Sequence, residues 1–221
     1  MKDFKSKVRR IYRKKGVVKG TSKCLLMVLS RLGIFRFSRK IVCLLDLANL
    51  TLSSSRVPSG LTFRWGEAED ILKMDAKILD YDKKGKEYSL ARLRSNDKFL
   101  MGLLNGEVVG YLWMMPGAME LNMRRHFALS ENMVYVYKAF IQKKFRGKNL
   151  IIPSMNYILS YLRGKGYRYV VTCVYSPVLG ALLKRRFGFE RLGEIFEFSC
   201  LGKEVSVMSK DVSEKLERFR R

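Results

Sequence analysis

The chain has 221 residues, enough for one domain with a sizeable core plus an extension. Its composition, 48% apolar with only four prolines, excludes a disordered or collagen-like chain, and its apolar runs fall short of the ~18 residues of a membrane-spanning helix. A formal net charge of +24 implies anionic partners: lipid headgroups, nucleic acid, an acidic carrier protein or a polyphosphate cofactor.

Fourteen of the 44 Lys and Arg lie in residues 1–40, where Asp3 is the only acid, so this basic arm carries +13, more than half of the imbalance. Residues 1–23 read as a basic tail broken by Gly16 and Gly20. From Thr21 the pattern turns helical: Leu25, Val28, Leu29, Leu32 and Phe35 share one stripe, bordered or flanked by Lys23, Arg31, Arg36, Arg39 and Lys40. A short basic amphipathic helix of this kind either lies in an anionic membrane interface or packs on the protein's own body or a dimer partner. Nucleic-acid binding ranks behind these, because the arm has no recognition motif. The apolar run Cys24–Leu29 is short and lacks a small-residue cleavage site, so the segment reads as retained, in a cytoplasmic protein peripheral to the inner face of a membrane.

Ile41–Leu47 suits a short strand, and Leu52–Gly60 (LSSSRVPSG) has linker composition. The resulting division is a basic extension over 1–57, a body over 58–210 and a charged tail over 211–221. In the body, Leu61–Trp65 reads as a strand and Gly66–Ile78 as a helix with acids in its first turn. A second helical piece covers Tyr88–Leu93. Lys98–Leu104 and Glu107–Met115 form a hairpin around Asn105-Gly106. Gly117–Asn132 reads as an irregular insertion containing Glu120, Arg124, Arg125 and His126.

Val134–Ile141 is an apolar strand, followed by a polar turn, Lys143–Asn149, with four cations. Leu150–Arg163 has helical spacing and is stopped by Gly164 and Gly166. Tyr167–Tyr175 is a strand and Val178–Phe187 a helix ending at Gly188. A strand-helix-strand unit of this length predicts a parallel pair with a right-handed crossover. Its loop delivers backbone N–H groups and positive charge at a helix N-terminus, which suits a phosphate-bearing ligand. Glu194–Leu201 and Glu204–Ser209 close the body as a hairpin, and Asp211–Arg221 has helical potential. The fold class is α/β (α+β mixed): a mainly antiparallel sheet with a central parallel step, flanked by helices.

Cys24, Cys43, Cys173 and Cys200 are scattered, and no Cys/His ligand spacing exists around the single His126. Buried reduced thiols and no metal are expected.

With the element order in place, the chain from about Leu61 to Ser209 resembles the GNAT acyltransferases, which move an acyl group, usually from acetyl-CoA, to an amine. The likeness rests on Thr62–Asp70 (TFRWGEAED), Leu104–Gly110 (LNGEVVG), Phe145–Lys148 (FRGK) and Arg186–Glu190 (RFGFE), in the family's order and spacing. The resemblance implies that acetyl-CoA or another acyl-CoA is held by backbone groups of Phe140, Ile141 and Gln142 and by the loop Arg146, Gly147, Lys148, Asn149, Leu150 and Ile151. Two positions that the family fills with small residues are here Asn149 and Ile151. Asn tolerates the left-handed backbone that Gly supplies, whereas the Ile151 side chain is expected to stand where phosphate approaches. Pro177 and Lys184 replace an Asn and a Tyr acid of many members, which leaves Tyr175 or Ser176 as substitutes for the acid. Glu131, Glu120 and His126 are the candidate bases.

The resemblance implies an acyl-CoA-dependent N-acyltransferase whose acceptor pocket is walled by residues 67–93 and 117–132. Its acceptor is a small-molecule or envelope-precursor amine, since the arm-plus-body layout is similar to acyltransferases of bacterial envelope pathways. A catalytically degenerate binding module, an enzyme fed by an acyl carrier protein and an RNA-directed enzyme stay open, as does a homodimer.

Overall fold

A computed structural model describes residues 35–54, 56–75, 78–79, 85–122, 125–201 and 203–219. The basic tail, the amphipathic stretch up to residue 34, Arg124 and the end of the expected Gly66–Ile78 helix lie outside the described residues.

Strand β1, Phe35–Asp46, begins with alternation (FRFSRK) and continues as the apolar run Ile41–Leu45. All five residues of that run are buried, as a strand covered on both faces requires. Then come β2 (Leu61–Trp65), α1 (Ala68–Lys73), α2 (Gly85–Arg94), β3 (Lys98–Leu104) and β4 (Glu107–Pro116). A small hairpin follows, β5 (Ala118–Asn122) and β6 (Arg125–Ala128), and then β7 (Met133–Ile141). The chain continues through α3 (Ile151–Gly164), β8 (Tyr169–Val174), α4 (Pro177–Phe187), β9 (Glu190–Cys200), β10 (Lys203–Met208) and α5 (Lys210–Arg218).

Among the described residues, eight strands form one sheet in the order β10-β9-β1-β8-β7-β4-β3-β2. Every neighbouring pair is antiparallel except β7 and β8, which run parallel across the α3 crossover. The mixed sheet with one parallel step is the architecture expected from the sequence.

The period-two alternation of β1 sends its side chains to two cores. Ile41, Cys43 and Leu45 join Ile158, Leu159 and Leu162 of α3 and Leu183 and Phe187 of α4. Val42 and Leu44 join Ile71 of α1, Trp113 of β4 and Val212 and Leu216 of α5 on the opposite face. Truncating a fully buried leucine such as Leu159 to Ala would cost about 2–5 kcal/mol.

Several expectations are corrected. Phe35–Lys40 is strand rather than the end of a helical stripe; alternation of Phe35 and Phe37 with Arg36 and Ser38 satisfies a pleated edge. The division at 57/58 therefore cuts β1 away from a sheet in which it lies between β8 and β9. The linker-like stretch is tied down: Ser53 N donates to Asn156 Oδ1 at 3.2 Å, and Asn156 Nδ2 donates back to Ser53 O at 2.7 Å. Helix α1 starts at a Glu67/Asp70 capping box and ends at Met74, shorter than periodicity suggested. The insertion over 117–132 is the β5–β6 hairpin rather than irregular chain. Asn105 (φ 52°) and Gly106 (φ 83°) have the paired left-handed backbone of the predicted tight hairpin. Cys43 is buried and Cys173 half-buried, but Cys200 is exposed; all three are free thiols. No helix among the described residues is long and apolar enough to cross a membrane.

Candidate functional site

The site begins where two parallel strands stop pairing. β7 and β8 are in register from Met133↔Tyr169 to Val136↔Thr172, after which β7 runs on to Ile141 and β8 to Val174 without further partners across the gap. A bulge marks the place. Lys138 has φ 50°, and the β4–β7 register shifts between Tyr111 and Trp113. Ala139 is consequently exposed although its strand is central in the sheet. The last residues of β7 thus keep backbone donors and acceptors on the side facing β8. Gly110 on β4 makes this arrangement possible: a Cβ there would stand 2.3 Å from the Phe140 carbonyl oxygen and 3.2 Å from Ile141 Cα.

The loop after β7 is anchored at its base. Gln142 N donates to Val109 O at 2.9 Å, and Gln142 Nε2 donates to Val108 O. Phe145 and Leu150 bury against Val109, which turns the intervening backbone outward. Gly147 (φ 82°) and Asn149 (φ 55°) both adopt the left-handed region. Asn149 thus does what a glycine would do, at modest cost. The N–H groups of Gly147, Asn149, Leu150 and Ile151 meet no acceptor among the described residues. They form a row of donors leading into α3, where the helix dipole favours an anion.

Ile151 does not stand in that row's mouth as expected; its side chain packs against the α3/α4 core. Pro153 is buried inside the first turn of α3, where its missing N–H costs little. Of the loop cations, Lys144 pairs with Glu107, and Arg146 Nε donates back to Ile141 O at 3.0 Å. Lys143 and Lys148 are exposed.

On the other face of the sheet, at the same end of β7, lies a cleft of about 770 Å³. The expected walls contribute Tyr88 from α2 and Glu120 from β5, but the rest comes from β1, β7, β8, β9 and β10. Two polar clusters adjoin it, the first through Tyr88, Glu120 and Tyr137, the second through Ser38, Lys40 and Glu197. In the first, Arg92, only 7% exposed, gives Nη2 to Glu120 Oε2 at 2.6 Å and to the Tyr88 hydroxyl at 2.9 Å. Its Nη1 lies 3.7 Å from Asp97 Oδ2, which accepts from the Tyr137 hydroxyl at 2.5 Å. Burial pushes the Asp97 carboxyl up, against the Tyr137 hydrogen bond and the Arg92 charge. Burial also pushes the Tyr137 phenol well above the tyrosine range.

In the second cluster, Lys40 Nζ meets Glu197 Oε1 at 2.5 Å, and Ser38 Oγ donates to Glu197 Oε2 at 2.5 Å. Burial pulls the Lys40 ammonium down, but its hydrogen bond to Glu197 with nearby negative charge outweighs this, and it rises overall. The same ammonium sits 5.6 Å from the centre of the Tyr175 ring. Tyr175 is 63% exposed as a residue, yet desolvation of its phenol end pushes that group up, against the pull of Lys40. Burial drives the Cys173 thiol up to about 12, so it stays protonated at neutral pH.

Of the expected catalytic residues, Tyr175 and Glu120 line the cleft. Ser176, the residue before α4, is exposed and is not among the lining residues. Glu131 precedes the first residue of β7, some 30 Å of extended chain from Phe140 at ~3.3 Å per residue, so it is at the wrong end of the strand. His126 lies opposite Glu120 in the β5–β6 ladder, outside the lining. Lys184 is exposed on α4. Sequence reasoning missed Lys40, Arg92, Asp97, Tyr137 and Glu197. The signal for Glu197 was a lone acid between Phe196 and Phe198, whose significance depends on β1 being its neighbour.

No family model matches the sequence, and no curated protein matches it. Solved structures do. A GCN5-related glucosamine N-acetyltransferase region of a fungal multi-domain protein superposes with a TM-score of 0.52 at 10% identity, over 82% of this chain and 23% of that one. A Drosophila protein gives a TM-score of 0.50 at 16% identity, over 83% of this chain and 58% of its own. A weaker likeness, TM-score 0.42 at 14% identity over 57% of this chain and 87% of the other, is to the PaiA N-acetyltransferase of Thermoplasma acidophilum in complex with coenzyme A. The chain spans 58 to 64% of the length of the first structures it matches. The first of these likenesses shows the fold, which is GNAT-like.

Proposed function

We propose that this GNAT-fold chain is an acyl-CoA-dependent N-acyltransferase acting on a small-molecule amine. The observation that carries the proposal is the unpaired end of β7 beside a loop of unsatisfied N–H donors. A backbone edge inside a sheet suits an extended amide-bearing chain such as pantetheine, and the donor row at α3 suits its pyrophosphate. When bound, the acyl-CoA supplies the acyl group and a thiolate leaving group. Gly147–Ile151 would hold its phosphates, assisted by Lys143 and Lys148, and backbone N–H groups near Phe140 and Ile141 would favour charge developing on the thioester oxygen.

Tyr175, the residue after β8, lines the cleft. A phenol raised by desolvation keeps its proton at neutral pH, as a donor to the departing sulfur must. An amine arrives protonated and must lose a proton before it attacks. The Arg92 cluster sets two carboxylates against one guanidinium, so Glu120 offers the cleft a carboxylate that both attracts an ammonium and accepts its proton.

The cleft also separates acceptor classes. Its charged lining is balanced, with Arg36, Lys40 and Lys138 against Glu120, Glu197 and Glu204, in a protein of net charge +24. An RNA or acidic-carrier site would concentrate cations where the reaction occurs. Balanced charge with tyrosine walls suits a compact amine instead. The test is acetyl transfer across an amine library, read as free thiol released. Transfer to one or more small amines is expected; transfer to none, with acetyl-CoA bound, would sink the enzymatic reading.

A further inference from the structure

Lys40 is set between two side chains by its strand. β1 runs antiparallel to β8 on one side and to β9 on the other, and its last rung with β8 is Ile41↔Val174. One residue further out come Lys40 and Tyr175. On the β9 side Lys40 opposes Ile195 and Ser38 opposes Glu197, so Glu197 stands diagonally across from Lys40. The result is a chain of polar groups along the cleft. Ser38 Oγ and Lys40 Nζ both donate to Glu197, each at 2.5 Å, and the same ammonium donates to the Tyr175 hydroxyl.

This ammonium is not a solvated surface charge. The Lys40 side chain is 11% exposed, and Glu197 keeps it protonated against burial. The groups that face the phenol are Lys40 of β1, Glu197 of β9 and Cys173 of β8, and Lys40 is the cation of this set. Tyr135 of β7 hydrogen-bonds the Cys173 thiol behind them. Tyr175, as the acid, gives its hydroxyl proton to the departing sulfur while the C–S bond breaks with its electron pair on sulfur. The O–H electron pair stays on the phenol oxygen as a full negative charge, and the phenolate later regains a proton from water. A fixed cation at that oxygen acts where charge develops, and it needs no reorganisation to do so.

We propose that Lys40, held by Glu197, is a positioning residue that acts through Tyr175: it fixes the hydroxyl and offsets the charge left when the proton has moved. The inference rests on the reading of Tyr175 as the acid. Burial pushes the phenol up and Lys40 pulls it down, so removing the ammonium makes phenolate harder to form. The first readout is the Tyr175 phenol itself, followed by NMR in the full chain with isotope-labelled tyrosine and assigned with Tyr175→Phe. At a fixed alkaline pH at the foot of the parent's titration, Lys40→Met should hold about tenfold less phenolate, and Lys40→Arg should restore the parent's value. The second readout is acetyl transfer to an accepted amine. Lys40→Met should lower kcat about tenfold with KM for acyl-CoA nearly unchanged, and should move the alkaline limb up by about one pH unit. In the Tyr175→Phe background the same substitution should change kcat by less than about twofold, since its effect passes through the phenol. Should Lys40→Met fail to fold, Lys40→Met/Glu197→Gln leaves no unpaired carboxylate and gives the same readouts. An unmoved phenolate fraction, or an equal loss of kcat in both backgrounds, would overturn the inference while leaving Tyr175 its role. Undiminished activity in Tyr175→Phe would overturn the acid reading, and this inference with it.

Discussion

Replacing Arg92 by Met is the most informative single change, because Arg92 sits between two carboxylates, one of which, Glu120, lines the cleft. The guanidinium is 7% exposed, 2.6 Å from Glu120 and 3.7 Å from Asp97. Removing one partner of a buried ionic cluster costs about 3–5 kcal/mol, because the remaining charges stay desolvated. Arg92 Nε and Nη1 have no hydrogen-bond acceptor among the described residues, so the arginine itself is incompletely compensated and the lower half of that range applies. At ~2–4 °C per kcal/mol for a chain of this size, the melting temperature should fall by roughly 6–15 °C at neutral pH. The pH dependence carries a sign. Asp97 is raised in the folded state by burial, so folding loses stability as pH rises from the ordinary aspartate range through the folded value. Without Arg92 the rise grows, so the deficit is full at neutral pH and shrinks as pH falls through the folded value and Asp97 protonates. Urea titrations from pH 8 to pH 5 measure this directly. Arg92→Met/Asp97→Asn/Glu120→Gln should regain most of the loss. A pH-independent deficit, or one below about 1 kcal/mol, would refute the buried-cluster account.

Other substitutions probe the donor side. Gly110→Ala places a methyl 2.3 Å from the Phe140 carbonyl, a backbone atom that cannot rotate away; acetyl-CoA affinity by calorimetry should drop at least tenfold. Asn149→Gly should bind acetyl-CoA as well as the parent, whereas Asn149→Val, β-branched at φ 55°, should bind about tenfold more weakly. Tyr175→Phe should lower kcat about 100-fold with KM for acyl-CoA changed less than twofold. The parent's activity should fall on an alkaline limb above the ordinary tyrosine range, as the raised phenol ionises, and the Phe variant should lack that limb.

Local pattern revealed the elements of the proposed donor half of the site. Asn105-Gly106, the apolar strand before Lys143, the α3 stripe and the left-handed tolerance of Asn149 are all properties of adjacent residues, and each appears where the sequence placed it. The cleft is different. Its second cluster joins Ser38 and Lys40 to Glu197, 159 residues from Ser38, through a strand pairing that no local period encodes. FRFSRK satisfies both a helical stripe through Phe35 and a two-residue alternation, and only its neighbours in the sheet decide between them. Glu131 was a natural base on proximity in sequence to β7, but a strand separates its two ends by its whole length. Arg92 carries no signal in the sequence, because its partner Glu120 comes from β5.

The central claim is that the gap between β7 and β8, with the loop at α3, binds an acyl-CoA. Isothermal titration of acetyl-CoA into the full chain tests it most directly, with Gly110→Ala as the variant that displaces the end of β7. The account predicts saturable binding with one site per chain that the variant loses in large part. Absence of binding by acetyl-CoA and by longer acyl-CoAs, or equal affinity in the variant, would contradict it.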